Sequence, residues 1–484
     1  MMPLLVLATS ACYRPATEAS ARGSWSYEVD PPAAGSRVVT VEATFDGART
    51  ERLGIPREAA AHVKELKVRE GDSLRPVERR NNEWFERSCN FRCTVSYTVD
   101  LGEMADACKD EVDCARRVGP ATLSPALAWL VHPVPRTDVP VTVRVHPPDA
   151  AQFASGMNAV EPDATGTTYS FRSFDLDEGS FTAFGPMRRT SIDVPGKDGK
   201  KARLDLAILG DTKYAMPDSA IREWVEEAAN VTVPLFGRFP VDRATLFVVP
   251  AKGEDEVVFG KVLSLAGASV VVVLGDKMPA SARHKDWVLV HELFHLGFPT
   301  FRGEGRWLGE GLATYYEPIL RARAGWTSEA EVFRQFARNM PRGQPPRGSS
   351  AGLSARDDLD TIYWGGAMFC LAADVRIREE TRGKRSLDDV IRAALDKGGD
   401  ATRVWTVRDV VALADKVTGT NVLSEMYERH AARGERIDLD ALLSSLGVSA
   451  DGKEVDETRP LAWIRRGIAL GDRTYEDAEL AQTP

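Results

Sequence analysis

Residues 287–295 place the strongest constraint on what this chain can fold into. They read WVLVHELFH, in which His291 and His295 stand four residues apart in a mostly apolar run. On an α-helix, side chains at this spacing project from one face, so both imidazoles can bind a single metal ion. Glu292 then lies beside the open position of the metal, where a general base acts on a metal-activated water. Because burying these three polar groups is costly unless a cation compensates them, the segment predicts a buried helix with a zinc site.

The next helix signal supplies a third metal ligand. Residues 307–316 read WLGEGLATYY, and the segment 296–306 contains three Gly and one Pro, which allow the chain to reverse direction. An antiparallel helix then brings the Glu310 carboxylate toward the two imidazoles. Two His and one Glu with water in the fourth position form a catalytic zinc site, because structural sites fill all four positions. We therefore expect one Zn²⁺ per chain, held by His291, His295 and Glu310.

Length and composition narrow the class of protein. The chain has 484 residues, which predicts about two to four domains. Its 62 Lys+Arg against 71 Asp+Glu give a formal net charge of −9, and this acidic excess argues against a nucleic-acid partner, which requires a basic face. No stretch reaches the ~18–20 uninterrupted apolar residues of a membrane-spanning helix. Composition thus indicates a soluble or membrane-tethered multidomain protein.

The start of the chain predicts export. Residues 1–11 read MMPLLVLATSA, an apolar run that ends in small residues and is followed at once by Cys12. This order resembles the lipobox of bacterial lipoproteins, which implies that a lipidated Cys12 tethers the protein to a membrane. The alternatives are an ordinary cleaved signal peptide and a cytosolic protein with a frayed N-terminus. We expect a leader and tether over residues 1–24 and a location in the cell envelope, as a periplasmic protein or an outer-membrane lipoprotein.

The cysteines agree with an oxidising compartment. Cys89, Cys93, Cys108 and Cys114 lie close together in the sequence, and their spacing is not that of a zinc ribbon. Two disulfides are therefore expected, although four cysteines allow three pairings and the sequence does not choose among them. Cys370 lies in an apolar helical pattern and is expected to be an inert buried thiol.

Hydrophobic patterning divides the chain into three parts after the leader. Residues 25–189 show short alternating segments between turn residues, which predict a mostly antiparallel β domain without a chemistry-bearing motif. Residues 190–447 combine apolar runs suited to buried strands with helical patterns, and residues 448–484 form a C-terminal extension. The expected strands are 37–45, 94–101, 139–145, 168–174, 204–209, 244–249 and 269–274, and the expected helices include 218–235, 282–296, 307–323 and 328–340.

The motifs HELFH and WLGEGLATYY together resemble the gluzincin metallopeptidases, in particular the glycyl aminopeptidase family and its relative, the membrane alanyl aminopeptidase group. The resemblance implies an α+β multidomain protein in which a thermolysin-like α/β catalytic domain with a helical C-terminal part follows the β domain. It also implies Glu310 as the third zinc ligand. Residues 362–367, IYWGGA, are similar to the segment that supplies a transition-state tyrosine in these families. By that similarity Tyr363 donates a hydrogen bond to the oxyanion of the tetrahedral intermediate.

The expected function is zinc-dependent hydrolysis of peptide bonds in a peptide or protein substrate, with Glu292 and Tyr363 as catalytic residues. Aminopeptidases of these families carry a Gly-rich strand that ends in a Glu, which holds the α-amine of the substrate. The corresponding region 263–274 keeps Gly267 but has no acid, so aminopeptidase and endopeptidase specificity both stay open. A cell-envelope binding or scaffold protein that keeps the fold with little turnover is the alternative. The oligomeric state is not determined by the sequence.

Overall fold

The N-terminal part of the computed structural model is built almost entirely from short strands. The structure describes residues 23–146, 152–160 and 166–471. The strands are β1 (Ser24–Asp30), β2 (Val38–Asp46), β3 (Arg52–Gly54), β4 (Val63–Glu70), β5 (Ser73–Pro76), β6 (Glu78–Arg80), β7 (Glu83–Phe85), β8 (Arg92–Asp100), β9 (Arg116–Val118), β10 (Ala121–Pro125), β11 (His132–Pro133), β12 (Pro140–Val145), β13 (Phe153–Ser155), β14 (Thr167–Arg172) and β15 (Phe181–Phe184), with the short helices α1 (Arg57–Ala60) and α2 (Leu101–Ala107).

These strands form three sheets. The largest has seven strands in the order β14-β12-β1-β2-β8-β4-β5, in which only the β1–β12 pair is parallel. Two four-stranded sheets have the orders β13-β15-β10-β9 and β11-β3-β7-β6. Alternate residues of β2 are buried, as a strand with one face on a core requires. Two disulfides, Cys89–Cys93 and Cys108–Cys114, supply the pairing that the sequence left open, and Cys370 is a buried free thiol.

A mixed five-stranded sheet follows. Its strands are β16 (Met187–Pro195), β17 (Lys201–Leu209), β18 (Arg243–Ala251), β19 (Val257–Leu263) and β20 (Ser269–Gly275), in the order β16-β17-β18-β20-β19. The three central strands are parallel, and the two edge strands run antiparallel to their neighbours. Every residue of β20 is buried, which is why its sequence is a continuous apolar run rather than an alternation. The edge strand β19 is partly exposed and was not predicted from the sequence.

Helices complete the chain. They are α3 (Asp218–Phe236), α4 (Val288–His295), α5 (Arg306–Arg323), α6 (Glu329–Asn339), α7 (Gly366–Glu380), α8 (Leu387–Asp396), α9 (Val407–Thr418), α10 (Val422–Met426), α11 (Leu439–Ser445) and α12 (Ala462–Leu470). One turn of π-helix, Thr361–Gly365, leads directly into α7. Across the described ranges, none of the helices is long and apolar enough to span a membrane.

The two faces of the five-stranded sheet pack against different partners. Leu206 and Val270 on one face belong to the same core as Leu289 and Phe294 of α4. On the opposite face, residues of β17, β18 and β20 join a second core with the β domain, formed by Leu209, Phe247 and Val271 against Leu123 and Phe181. The period of two along each strand therefore sends alternate side chains to the helices and to the β domain.

The predicted order of a mostly antiparallel β domain, an α/β part and a helical C-terminal part is confirmed by this architecture. The predicted domain boundaries at 189 and 447 stay predictions. Residues 1–22 of the predicted leader and tether, which include Cys12, lie outside the described residues, and Ser24 at its predicted end already belongs to β1. The end of the predicted C-terminal extension, from residue 472 onward, also lies outside the described residues.

The predicted helix 282–296 is wrong at its start. Residues Ala280–Lys285 form a 3₁₀ turn, and α4 begins only at Val288. The carboxylate of Asp286 accepts hydrogen bonds from the backbone N–H groups of Val288 at 2.9 Å and Leu289 at 3.1 Å. Because these amides have no partner within the helix, an acid at this point satisfies them and sets the first turn.

Candidate active site

Helix α4 carries two of the predicted metal ligands and holds them close together. His291 is buried and His295 is half-buried, and their Nε2 atoms lie 3.3 Å apart. The short helix presents both imidazoles from one face because they are four residues apart. The opposite face of α4 packs into the core through Leu289, Leu293 and Phe294. Packing of that face fixes the direction in which the imidazoles point.

Helix α5 brings the third predicted ligand to the same point. The Oε2 atom of Glu310 lies 3.4 Å from Nε2 of His291 and 3.4 Å from Nε2 of His295. The close approach of α5 to α7 supports this placement, because a Cβ atom added to Gly311 would lie 2.5 Å from the backbone of Gly366. Only glycine permits two helices to come this near at that crossing.

The separations between these donor atoms fit a tetrahedral ion. With bonds of about 2.0–2.2 Å to nitrogen and oxygen, two ligand atoms at tetrahedral positions lie about 3.3–3.5 Å apart. His291, His295 and Glu310 match that spacing. Among the described residues, they are the group of three His, Cys, Asp or Glu side chains placed to hold a metal ion. Two imidazoles with one carboxylate leave the fourth position to water or substrate, as in catalytic zinc sites.

The charges of the three ligands support each other. Burial opposes ionisation of Glu310, but the positive charge of His295 and hydrogen bonds with both imidazoles hold the pKa of this carboxyl below its usual range. Burial also opposes protonation of His295, and the Glu310 carboxylate outweighs it and raises the pKa of the imidazole. At His291 burial prevails and lowers the pKa. A metal cation binds deprotonated ligands, which here means an ionised Glu310 carboxylate and a neutral His291 imidazole.

Glu292 faces the cavity beside the three ligands without joining them. Burial raises the pKa of its carboxyl to about 8, while the positive charges of His295 and Lys261 oppose that rise. Strand β19 crosses directly over Glu292 at Gly260, where an added Cβ atom would lie 2.5 Å from Cγ of Glu292 and 2.9 Å from its Oε1. The backbone of β19 therefore packs against one side of this carboxylate.

Tyr363 lies near His291, in the π-helical turn before α7. Its ring centroid is 6.0 Å from that of His291. The Asp358 carboxylate accepts hydrogen bonds from the backbone N–H of Thr361 at 2.9 Å and from its hydroxyl at 2.7 Å, which fixes the start of this turn. Burial and the charges of Glu310 and Glu292 raise the pKa of the phenol to about 12. Tyr363 is consequently protonated at neutral pH and able to donate a hydrogen bond.

Glu292, His295, Glu310 and Tyr363 line one cavity of about 940 Å³, and His291 is buried next to His295 and Glu310. The structure thus brings together all five residues predicted from the sequence as site residues. The cavity also receives three acids from the β domain, where the sequence showed no chemistry: Asp113, Asp177 and Glu178. Asp113 lies in the loop closed by the Cys108–Cys114 disulfide. The sequence gives no signal for these three acids, because they reach the cavity only when the β domain packs on the five-stranded sheet.

Three further cavity residues were also missed. Gly260 and Lys261 lie on β19, and Arg306 begins α5. The strand that faces Glu292 is Val257–Leu263, which precedes the region 263–274 to which the resemblance assigned the amine-binding acid. Lys261 occupies this strand beside Glu292, and its ammonium group is 2.7 Å from the carboxylate of Asp113.

Comparison with solved structures identifies the architecture. An aminopeptidase N family protein from Idiomarina loihiensis aligns with a TM-score of 0.66 at 16% identity, covering 87% of this chain and 78% of that chain. The M1 zinc metallopeptidase from Deinococcus radiodurans gives 0.54 at 14% identity, covering 86% and 96%. A mutant of the Deinococcus enzyme bound to the substrate Tyr-Ser-Ala gives 0.53 at 14% identity, covering 85% and 94%. This chain has the fold of the M1 zinc metallopeptidases.

The M1 fold confirms the predicted gluzincin architecture, and the closer likeness to the glycyl aminopeptidase family stays a prediction. A scan against protein-family models gives no match. A search of curated proteins also gives none. Because a fold hosts many activities, the activity has to be inferred from the site itself.

The contact between Gly260 of β19 and Glu292 can be tested by substitution. Replacing Gly260 with Ala should displace Glu292, because the new methyl group overlaps its Cγ. A shift of about 1 Å in a catalytic group costs on the order of 10²-fold in rate, so we expect a fall of about 10–10²-fold in kcat with zinc content unchanged.

The control for this variant lies on the same strand. Val258→Ala changes an exposed side chain of β19 and should leave kcat near that of the wild type. Equal kcat values for Gly260→Ala and Val258→Ala would contradict the placement of Glu292 under β19.

Proposed function

We propose that this protein is a zinc-dependent peptidase that hydrolyses peptide bonds. The observation that carries the proposal is the convergence of His291, His295 and Glu310 to donor separations of 3.3–3.4 Å, with Glu292 beside them on the same cavity. Peptides are the proposed substrate class, which is supported by the peptide bound to the Deinococcus mutant of the same fold.

Each residue has a defined task in this proposal. Zinc held by the three ligands would polarise the scissile carbonyl, acidify the attacking water and, through its charge, lower the pKa of the Glu292 carboxyl. Glu292 takes the proton from the attacking water and passes it to the leaving amine. Tyr363 donates its phenolic hydrogen to the developing oxyanion, a role for which its raised pKa keeps it protonated.

Export to the cell envelope, with a lipid tether at Cys12, is part of the proposal. It is supported by the apolar start of the chain and by the two disulfides, which form and persist in oxidising compartments.

The function is tested by mass spectrometry on a mixed peptide library incubated with the purified protein. We expect new peptide ends that disappear with a chelator and return when zinc is added back. The positions of the new ends separate removal of N-terminal residues from internal cleavage. Cleavage that persists in chelator-treated, metal-free protein would contradict the proposal.

Loss of the Tyr363 hydroxyl tests the oxyanion role. Tyr363→Phe should retain zinc and reduce kcat by about 10²–10³-fold with little change in KM, as expected when a donor to the transition state is removed. Tyr214→Phe is a matched control, because Tyr214 is not among the residues that line the cavity. A Tyr363→Phe protein with the kcat of the wild type would remove Tyr363 from the mechanism.

A further inference from the structure

Three cationic side chains line the active-site cavity: Lys261, Arg302 and Arg306. Two of them are paired with acids of the β domain. The Lys261 ammonium lies 2.7 Å from Asp113, and the Arg302 guanidinium lies 3.5 Å from Asp177. In the described part of the chain, Arg306 has no carboxylate within ion-pair distance. Arg306 is thus the cavity cation that remains available to a substrate.

Arg306 is also close to the reacting groups. It is exposed, begins α5 and lies one helical turn before Glu310, on the same face of the helix. Although burial and nearby carboxylates raise the pKa of the Tyr363 phenol, the charge of Arg306 and a hydrogen bond from it act in the opposite direction. The guanidinium therefore lies near the point where the oxyanion of a bound peptide would form.

Of the five acids that line the cavity, three are already engaged, and the other two are Glu292 and Glu178. Glu310 is 3.4 Å from both imidazoles, so its carboxylate is turned toward the ligands rather than back along α5. Asp113 and Asp177 face Lys261 and Arg302. A planar guanidinium with free donors next to a scissile bond fits a carboxylate, which it can bind through two parallel hydrogen bonds.

We propose that Arg306 binds a carboxylate of the peptide substrate next to the scissile bond and so selects anionic substrates. This inference rests on the proposed peptidase function and defines its substrate class. The carboxylate has two sources with the same chemistry, namely the C-terminus of a short peptide and the side chain of an Asp or Glu residue.

The test measures a preference ratio with the zinc-loaded full chain. One pair of peptides differs only in a free or amidated C-terminus near the cleaved bond, and a second pair differs only in Glu or Gln beside that bond. For the wild type we expect kcat/KM to be about 10–10²-fold higher for the carboxylate member of one pair, as for a hydrogen bond to a charged group. The pair that shows the preference identifies the source of the carboxylate.

Variants assign the preference to a residue. Arg306→Gln should bring the ratio close to one, chiefly by raising KM for the carboxylate peptide, and Arg306→Lys should retain part of the ratio because it keeps the charge. The matched control is Arg302→Gln, which removes an exposed arginine of the same cavity that is already paired and should keep the wild-type ratio.

The outcomes separate this inference from the function on which it rests. An unchanged ratio in Arg306→Gln overturns the inference while peptidase activity stands. An equal loss on both members of a pair also overturns it, since Arg306 would then act through Tyr363 rather than on a substrate carboxylate. If the zinc-loaded wild type cleaves none of the four peptides and none of the library, the peptidase function fails, and this inference fails with it.

Discussion

Replacing His295 with Ala should empty the metal site and abolish peptide hydrolysis. Its Nε2 atom lies 3.3 Å from Nε2 of His291 and 3.4 Å from Glu310, so its loss leaves two ligands of the three. Loss of a group that only supports a ligand already weakens metal binding by about 10–100-fold, so loss of the ligand itself should exceed that range. Metal analysis after dialysis should find about one zinc per chain in the wild type and almost none in His295→Ala.

A second ligand variant and a control variant test whether the loss of zinc is specific to the three ligands. Glu310→Gln should lose affinity for zinc as well as rate, because a neutral amide is a poorer ligand than a carboxylate. His284→Ala removes a histidine that stacks on Trp326 and pairs with Glu227, outside the cavity, and should keep full zinc content. Full zinc occupancy in His295→Ala would rule out the ligand assignment.

Replacing Glu292 with Gln should separate catalysis from metal binding. Glutamine keeps the shape of the side chain but does not accept a proton at neutral pH, and Glu292 is not among the three converging ligands. We therefore expect wild-type zinc content with kcat reduced by at least about 10²–10⁴-fold, the typical contribution of general acid–base catalysis. Steady-state hydrolysis of a peptide from the library, with zinc measured on the same samples, gives this comparison.

The control for Glu292→Gln is a nearby acid outside the site. Glu304 is exposed in the loop between α4 and α5 and does not line the cavity, so Glu304→Gln should retain the wild-type kcat. A loss of zinc in Glu292→Gln would show that this carboxylate is a ligand rather than the base.

The local parts of the site could be predicted from the sequence because they depend on helix geometry alone. A spacing of four residues places His291 and His295 on one face of any helix. The Gly and Pro residues of the segment 296–306 predicted a reversal of the chain that brings Glu310 to the imidazoles, and its carboxylate lies 3.4 Å from Nε2 of each. The alternation of apolar and polar residues likewise predicted the longer strands of the β domain, because successive side chains of a strand point to opposite faces.

The missed parts depend on contacts between distant segments. Strand β19 is an edge strand whose five inner residues are exposed or half-buried, so neither a continuous apolar run nor a strict alternation marks it. A glycine is required at position 260 because the side chains of Glu292 and Val288 on α4 occupy the space that a Cβ atom would need. Asp113 reaches Lys261 across the boundary between the β domain and the sheet. The late start of α4 follows Asp286, whose carboxylate accepts hydrogen bonds from the first backbone N–H groups of the helix.

One comparison tests directly whether the protein hydrolyses peptides with Glu292 as the general base. Wild type and Glu292→Gln, each shown to carry about one zinc per chain, are incubated with the same mixed peptide library, and the new peptide ends are quantified. We expect cleavage by the wild type and at least about 10²-fold less by the variant. Equal cleavage by the two proteins would contradict the hydrolytic mechanism. If neither protein cleaves any peptide, the proposed peptidase function is wrong, and the alternative function, a zinc-containing binding protein of the same fold, takes its place.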